Sequence, residues 1–367
     1  MSDSYNPLSA LNHLPQDLIE AILPFLPPKS LGRFKSVSKL WYSLISSPSF
    51  IKNHIQKLNK NNLNPDPTHL ILVPNFGDWS LYSLDIKPLN TQTTVTAKHL
   101  SIQELCFGTL GSCNGLVLAN DKSRNIYLVN PTTNETLKVP GGSYNDAYGF
   151  GYDSSTDDYK VISIPCEGVA DSDTDTNFVR VYSLRNNSFR NFPKPPNQLY
   201  DYCSPYPGVL FNNNLHFIVE RRHVRNTIAA FSLADEEFNI IELPDSVNNA
   251  GRMWSQLFAL GEKLAAVICV RLPRRELVNE LWVMEEYGVS TSWTKLCIIE
   301  KDNEPHYESY AKIGNRDILV GNSNVDEICI YNMDERRYTS VKVEGCPEDF
   351  LVYDTYVESL ESLERFR

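Results

Sequence analysis

The sequence has little glycine, fewer basic than acidic residues, and no long hydrophobic run. Its 367 residues include 17 glycines and 22 prolines, which excludes a collagen-like or low-complexity chain. The 34 basic side chains are outnumbered by 45 acidic ones, for a formal charge of −11. An extended nucleic-acid surface needs clustered Lys and Arg, so none is expected. No run of about 18 apolar residues and no signal-like N-terminus occurs, so neither a membrane span nor secretion is expected.

Cysteines at metal-binding or redox spacing are also lacking. The eight cysteines are scattered and never form Cys-x-x-Cys, and some, such as Cys269, lie in apolar runs. Buried free thiols have this pattern, and they indicate a reducing compartment, the cytoplasm or the nucleus. The 42% of hydrophobic residues supply a large core, and the length predicts two domains or one large repetitive one.

Catalytic motifs are lacking as well. No P-loop, His-Glu-x-x-His or Gly-x-Ser-x-Gly pattern occurs, and the seven histidines show no ligand spacing. Residues 36–39 match Ser-x-x-Lys but lie in a helical pattern, and residues 149–151 lack the third glycine of a dinucleotide site. Because no nucleophile has an identifiable base, we expect no enzymatic activity, no cofactor and no metal.

Residues 14 to about 60 have the periodicity of helices. Apolar residues recur at spacings of three and four from Leu18 to Leu26, and again from Leu31 to Ile45. Pro27 separates these two predicted helices. A third, short helix is predicted at 50–58.

After about residue 68 the pattern changes to short runs rich in Val, Ile, Tyr and Phe, which is typical of strands. One strand recurs six times, at steps of 47 to 53 residues. The second residues of its six copies are Tyr82, Val129, Tyr182, Phe231, Trp282 and Tyr331. Six units of about 50 residues, each of four strands (A to D, from the centre outward), predict a six-bladed kelch-like propeller.

The first unit lacks its innermost strand. Residues 69–73, 80–84 and 93–96 are interpreted as its B, C and D strands. The strand at 350–357 has no place in the sixth unit, so we expect it to supply the missing A strand and close the ring.

The predicted fold class is therefore an α+β multidomain protein, a small helical domain followed by an all-β propeller. The predicted domains are residues 10–60 for the helices, 68–358 for the propeller and 359–367 for a C-terminal tail.

The helical region resembles the F-box. Residues 14–23, 26–31 and 33–45 follow that motif almost position for position. Residues 111–116, 149–153 with 158–161, and 292–296 resemble the associated domain of plant F-box/kelch-repeat proteins. The overall pattern is similar to the immune-regulating and S-locus groups.

This resemblance implies a substrate receptor of an SCF (Skp–cullin–F-box) ubiquitin ligase. Such a protein docks on a Skp adaptor, and through it on cullin, while its other domain holds a protein target for ubiquitination. The resembled groups suggest an immune receptor or a ribonuclease as that target. Two alternatives stay open: a scaffold that binds the adaptor without cullin, and a propeller enzyme.

The adaptor contacts implied by the resemblance are the apolar positions of the motif and one serine. They are Leu14, Pro15, Leu18, Ile22, Leu26, Pro27, Leu31, Phe34, Val37, Ser38, Trp41 and Ile45. Two residues depart from the motif: Gly32 replaces a common leucine, and Pro24 should end the first helix early. Residues 14–60 carry seven basic and two acidic side chains, so this region favours an acidic adaptor although the whole chain is acidic.

The long loops of the propeller are the predicted target surface. If the tight A–B and C–D turns share one rim, the longer B–C and D–A loops share the other. Some of these loops carry the arginines and aromatic residues that protein interfaces enrich. The candidate target contacts are Arg221, Arg222, Arg225, Arg271, Arg274, Arg275, Tyr200, Tyr202 and Trp254.

Overall fold

The fold is seen in a computed structural model of the chain. It describes residues 15–58, 67–74, 80–102, 108–141, 146–165, 178–193, 202–203, 207–220, 226–244, 255–271, 277–299, 310–313, 317–320, 327–347 and 350–367.

The described N-terminal residues fold into short helices. They are α1 (Gln16–Ile22), a 3₁₀ turn (Leu23–Phe25), α2 (Pro28–Phe34), α3 (Lys39–Ile45) and α4 (Pro48–Leu58). As predicted, α1 ends early, because Pro24 has no N–H to continue an α-helical ladder.

The single helix predicted from Leu31 to Ile45 is wrong. Residues 35–38 interrupt it, and α3 begins after Ser38, whose backbone is extended and whose Oγ accepts a hydrogen bond from the Trp41 N–H at 3.1 Å. Serine favours this capping position, since its hydroxyl satisfies an amide that lacks a helical partner. Apolar spacing continued across the break and concealed it.

After the helices, the described residues form β-strands that are arranged in six sheets, as the sequence repeat predicts. In order from the innermost strand outward, the first three blades are as follows. Blade 1 contains β26 (Phe350–Tyr356), β1 (His69–Pro74), β2 (Tyr82–Asp85) and β4 (Lys98–His99). Blade 2 contains β5 (Gly108–Cys113), β6 (Leu116–Asn120), β7 (Ile126–Asn130) and β8 (Glu135–Val139). Blade 3 contains β9 (Asp146–Asp153), β10 (Asp158–Pro165), β11 (Phe178–Ser183) and β12 (Ser188–Pro193).

The other three blades follow the same plan with local variations. Blade 4 contains β13 (Tyr202–Cys203) and β14 (Val209–Phe211), which both pair with β15 (Asn214–Glu220), then β16 (Asn226–Ser232) and β17 (Phe238–Glu242). Blade 5 contains β18 (Ser255–Leu260), β19 (Lys263–Arg271), β20 (Leu277–Met284) and β21 (Trp293–Ile299). Blade 6 contains β22 (Tyr310–Lys312), β23 (Asp317–Val320), β24 (Glu327–Asn332), β25 (Arg337–Glu344) and β3 (Thr94–Thr96).

The ring closes through the C-terminal strand. β26 pairs antiparallel with β1, with Leu70 opposite Thr355 and Val73 opposite Leu351. The last strand of the chain thus supplies the innermost strand of the first blade, which confirms the predicted closure.

The strand predicted as the outermost one of blade 1 belongs to another blade. Thr94–Thr96 runs parallel to the last strand of blade 6, with Val95 opposite Val343, and Lys98–His99 takes its place in blade 1. A 3₁₀ turn buries Leu89 beside Val95 in the contact between blades 1 and 6, so packing draws the chain across to the neighbouring edge.

The core lies between the blades. Buried apolar side chains form one cluster at each of the six contacts between neighbouring blades, including the contact of blade 6 with blade 1. A further cluster lies within the helical region and includes Leu31, Ile45 and, from the far end of the chain, Leu360. None of the described helices has the length and hydropathy of a membrane span.

Candidate functional site

The helical region leaves several large apolar side chains exposed to solvent. Phe25 leaves 73% of its surface exposed, more than any other large apolar residue described. The exposed set in the described helices and turns is Leu18, Ile22, Phe25, Val37, Leu40 and Tyr42. Apolar exposure of this extent is typical of a surface that another protein covers.

The helices are amphipathic, and this explains which side chains remain outside. Leu18 and Ile22 are four residues apart and share one face of α1, whereas Ile19 and Leu23 turn inward to the cluster around Leu31. The inner side is completed by Trp41, whose ring meets Phe34 edge to face at 5.4 Å. About 45 residues cannot bury both faces on their own.

The residues implied as adaptor contacts divide into three groups. Pro15, Leu18, Ile22, Pro27, Val37 and Ser38 are exposed, while Leu26, Phe34 and Trp41 are half-buried. Leu14 lies outside the described residues. Leu31 and Ile45 are fully buried within the helical region, and their role as direct adaptor contacts stays a prediction. They pack with Leu360 beneath the exposed face and support it from inside.

Three exposed apolar residues were missing from the implied set: Phe25, Leu40 and Tyr42. Phe25 is turned outward by the 3₁₀ turn at Pro24, and Lys57 Nζ lies 4.0 Å from the centre of its ring. Leu40 and Tyr42 follow the break at Ser38, which sets the rotation of α3. The sequence signals are Pro24 and Ser38: treating each as the end or start of a helix would have identified all three residues as exposed.

The charge around this face is positive. Residues 15–58 carry six basic and two acidic side chains, and Arg33 and Lys39 are among the exposed basic ones. A basic surface around exposed apolar residues suits an acidic partner, since opposite potentials favour encounter and register.

The helical region sits against the tight-turn rim of the propeller. Lys52 Nζ in α4 lies 3.0 Å from Oδ1 of Asp157, in the turn between the first two strands of blade 3. On the same rim, Asn130 and Thr132 of blade 2 hold residues 359–361. The strand directions therefore place the ends that lead into the longer loops on the opposite rim, away from the helices.

Most of the predicted target contacts lie outside the described residues. These are Arg221, Arg222, Arg225, Arg274, Arg275, Tyr200 and Trp254. Of Arg271 and Tyr202 only the backbone is described: Arg271 ends β19 opposite Leu277, and Tyr202 pairs with Glu220. These two backbone positions lie on neighbouring blades at the loop rim. A shared target surface stays a prediction.

The charged cluster described at the loop rim is internally paired. Arg180 Nη2 lies 2.7 Å from Asp146 Oδ2, and Ser163 donates a hydrogen bond to the same carboxylate. These contacts tie the first three strands of blade 3 together. They fix the end of blade 3 that lies on the loop rim.

Two buried titratable groups of the propeller have strongly shifted pKa values. Burial raises the pKa of the Cys113 thiol to about 12, which makes it a poor nucleophile. Burial lowers the pKa of His216 to about 4, against the opposing effect of its backbone hydrogen bonds. No group of three His, Cys, Asp or Glu side chains in the described ranges is placed to hold a metal ion.

Two family models match the chain. The F-box domain matches residues 11–53, and the F-box associated beta propeller domain matches residues 73–363. F-box protein CPR1 of Arabidopsis thaliana is 27% identical, over 92% of this chain and 86% of that protein. An F-box/kelch-repeat protein of the same plant is also 27% identical, over 82% of this chain and 83% of its own length.

A solved structure shares the fold alone. TolB from Acinetobacter baumannii matches with a TM-score of 0.50 at 12% identity, over 82% of this chain and 70% of that one.

Proposed function

Because this chain belongs to the F-box proteins that carry an F-box associated beta propeller domain, we propose that it is the substrate-recognition subunit of an SCF ubiquitin ligase. In this role the F-box docks on a Skp adaptor, which joins it to cullin, and the propeller presents a protein target. The chain itself performs no chemistry in this scheme. It acts by holding the lysines of the target close to the ubiquitin carried by other subunits.

The observation that carries the proposal is the apolar face of the F-box helices. Leu18, Ile22 and Val37 are each about half exposed or more, while the same helices bury Leu31 and Ile45 completely. The region thus has a finished core and a second apolar surface without an intramolecular partner among the described residues. Covering it with an adaptor removes that surface from water, which is favourable by about 25 cal/mol for each Å².

The opposite placement of helices and loops supports the division of labour. An adaptor on the F-box would lie on the tight-turn side of the ring, which leaves the loop rim free for a protein target. We propose that the arginine and aromatic residues of the loops between Tyr200 and Arg275 form this target surface. An immune receptor or a ribonuclease is the target that the family resemblance suggests, and the cytoplasm or nucleus is the proposed location.

Binding of the full chain to a purified Skp adaptor tests the proposal. Leu18→Asp and Val37→Asp place charges on the exposed face without entering the core, so the thermal transition should be unchanged. Each should weaken binding by on the order of 2 kcal/mol, about a 30-fold rise in Kd. Ile298→Asp, at a comparably exposed apolar residue on blade 5, is the matched control.

Equal adaptor affinity for the native chain and both F-box variants would overturn the docking proposal. Cullin in the same complex distinguishes a ligase subunit from a scaffold that binds only the adaptor.

For the target surface, charge reversal at Arg221, Arg222, Arg274 and Arg275 should abolish capture of an acidic target and leave adaptor binding intact. Undiminished capture by that variant would exclude the arginine surface.

A further inference from the structure

The chain does not end where the ring closes. After β26, residues 357–367 run along the tight-turn rim between the propeller and the F-box, and we call them the C-terminal strap. Ser359, Leu360, Glu361 and Leu363 of the strap are all buried. A segment that buries four of five residues over so short a length is held in place by its surroundings.

On one side the strap is bound to blade 2. The side-chain amide of Asn130 donates to the carbonyl oxygens of Ser359 (3.2 Å) and Glu361 (2.7 Å). Glu135 accepts a hydrogen bond from the Leu363 N–H at 2.7 Å, and Leu363 itself is buried in the cluster between blades 2 and 3.

The turn under the strap leaves no room for a side chain. Gly115 has φ of +81°, and a Cβ there would lie 2.4 Å from the Ser359 hydroxyl oxygen. Glycine is thus required both by the backbone conformation and by the approach of the strap.

On its other side the strap is bound to the F-box. Leu360 is only 4% exposed and completes the apolar cluster of the F-box around Leu31 and Ile45. Glu358 lies 2.5 Å from Lys29 Nζ in α2 and 3.4 Å from His69 Nε2 in the first strand of the propeller. The strap therefore contributes a core residue and an ion pair to the F-box, and Glu358 also lies beside the His69 ring of the propeller, whose pKa burial lowers.

We propose that the C-terminal strap fixes the orientation of the F-box on the propeller, with Leu360 as its main positioning residue. In sequence the two domains are joined through residues 59–66, and Lys52 of α4 also contacts Asp157 of blade 3. The strap adds a separate attachment through α2 and the F-box core. Separate attachments restrict rotation in a way that one connection does not. The purpose of this restriction rests on the proposed function: a fixed orientation sets the distance from the adaptor to a target on the opposite rim.

The distance distribution between two spin labels on the full chain tests this inference. Labels at exposed Asn53 in α4 and exposed Glu262 on blade 5, attached through ketone-bearing amino acids, leave the eight native cysteines untouched. The native chain should give one narrow distance. Leu360→Ala should broaden the distribution about twofold, since the F-box loses its buried anchor.

A charge-swap cycle gives an independent measure if Leu360→Ala fails to fold. Lys29→Glu and Glu358→Lys should each broaden the distribution, and the double variant, which restores an ion pair of reversed polarity, should narrow it again. Leu296→Ala removes an equally large but exposed side chain on blade 5 and should leave the distribution unchanged.

If the distance distribution keeps its width in folded Leu360→Ala and in both charge variants, the proposal that the strap fixes the F-box orientation is wrong. If Leu360→Ala does not fold, unchanged widths in the two charge variants overturn the proposal in the same way. Adaptor affinity, measured separately, keeps the two proposals apart. If the chain binds no adaptor but the variants broaden the distance distribution, the proposed function is refuted and the role of the strap is supported. If the chain binds the adaptor but the variants leave the distribution unchanged, the role of the strap is refuted and the proposed function is supported.

Discussion

The hydroxyl oxygens of Ser83 and Tyr356 lie 2.7 Å apart inside blade 1, although 273 residues separate them along the chain. Ser83 belongs to an early strand of the propeller and Tyr356 ends its last one. Both side chains are buried, so this contact lies in the interior of the seam and not at its surface. The stability of the ring consequently depends on the C-terminal end of the chain.

Deletion of residues 347–367 should abolish the cooperative thermal unfolding transition. It removes the innermost strand of blade 1, the buried Phe350 of the cluster with blade 6, and the whole C-terminal strap. It also leaves an open sheet edge, which favours aggregation. Circular dichroism on heating measures the transition; removal of exposed Arg367 alone is the control and should retain it. A cooperative transition in the long deletion would contradict closure by β26.

The sequence predicts the blade number and the closure because both depend on features repeated along the chain. Six similar strands at nearly constant steps define six blades, and a strand left over at the end must pair with the unit that lacks one. The fate of Thr94–Thr96 has no such signal. Its alternating pattern suits the edge of either blade 1 or blade 6, and the burial of Leu89 beside Val95 decides between them.

The site is predicted less completely for a related reason. Apolar positions of the F-box helices are visible in the sequence, but their division into core and surface depends on what covers them. Leu31 and Ile45 are internal partly because Leu360 reaches them from the opposite end of the chain. The local sequence pattern around Leu31 and Ile45 cannot predict a contact with a residue more than 300 positions away.

Replacing Lys160 by Met should destabilise the contact between blades 3 and 4. Lys160 is 2% exposed. Its ammonium group lies 2.9 Å from carboxylate oxygens of both Asp153 and Glu236, and it also donates to the Leu233 carbonyl. Burial by itself would raise the pKa of Asp153, but hydrogen bonds from Ser155, Lys160 and Thr156 lower it to about 2. Methionine leaves this buried carboxylate without its cation.

We expect Lys160→Met to lower the free energy of unfolding by about 3–5 kcal/mol. Urea denaturation measures this difference. The triple variant with Asp153→Asn and Glu236→Gln should recover most of the loss, because no unpaired charge remains buried. Lys263→Met, which breaks an exposed pair with Glu285, should cost about 0–1 kcal/mol. A similarly small cost at Lys160 would show that the buried network contributes little.

His216 should make the propeller less stable in acid. The residue is 1% exposed, and its ring has Nδ1 3.1 Å from the Val209 carbonyl oxygen and Nε2 2.8 Å from the Tyr287 hydroxyl. A neutral imidazole satisfies both contacts, since Nδ1 donates to the carbonyl and Nε2 accepts from the hydroxyl. Burial lowers its pKa to about 4, so the unfolded chain, with a pKa near 6.5, binds the proton first as the pH falls.

The contribution of His216 is therefore fully present above pH 6.5 and is lost as the pH falls towards 4. Its size is roughly 3 kcal/mol, from the difference between the two pKa values. Urea unfolding at pH 7 and pH 4.5 measures it as a difference between the native chain and His216→Gln, which keeps hydrogen-bonding groups but does not titrate. An equal pH dependence for the two proteins would refute the assignment.

Asp354 should act in the opposite direction. This carboxyl lies on β26, where its Oδ1 accepts a hydrogen bond from the Thr355 N–H at 2.7 Å and lies 3.4 Å from the Ser112 hydroxyl. Burial raises its pKa to about 7, against the lowering effect of these hydrogen bonds. The folded state thus holds a proton that the unfolded chain, with a pKa near 3.8, releases.

The ionised Asp354 destabilises the fold above pH 7, and the penalty disappears as the pH falls from 7 towards 3.8. Asp354→Asn has nearly the same shape and no charge, and its carbonyl oxygen can accept from the Thr355 amide and the Ser112 hydroxyl as Oδ1 does. The variant should be more stable than the native chain in urea unfolding at pH 8.5, and the difference should vanish near pH 4. Lower stability of the asparagine variant at pH 8.5 would mean that the charged carboxylate supports the closing strand. As the pH falls from 7 to 4, His216 lowers the free energy of unfolding and Asp354 raises it. The pH dependence of the native chain therefore shows neither effect separately, and each must be measured against its own variant.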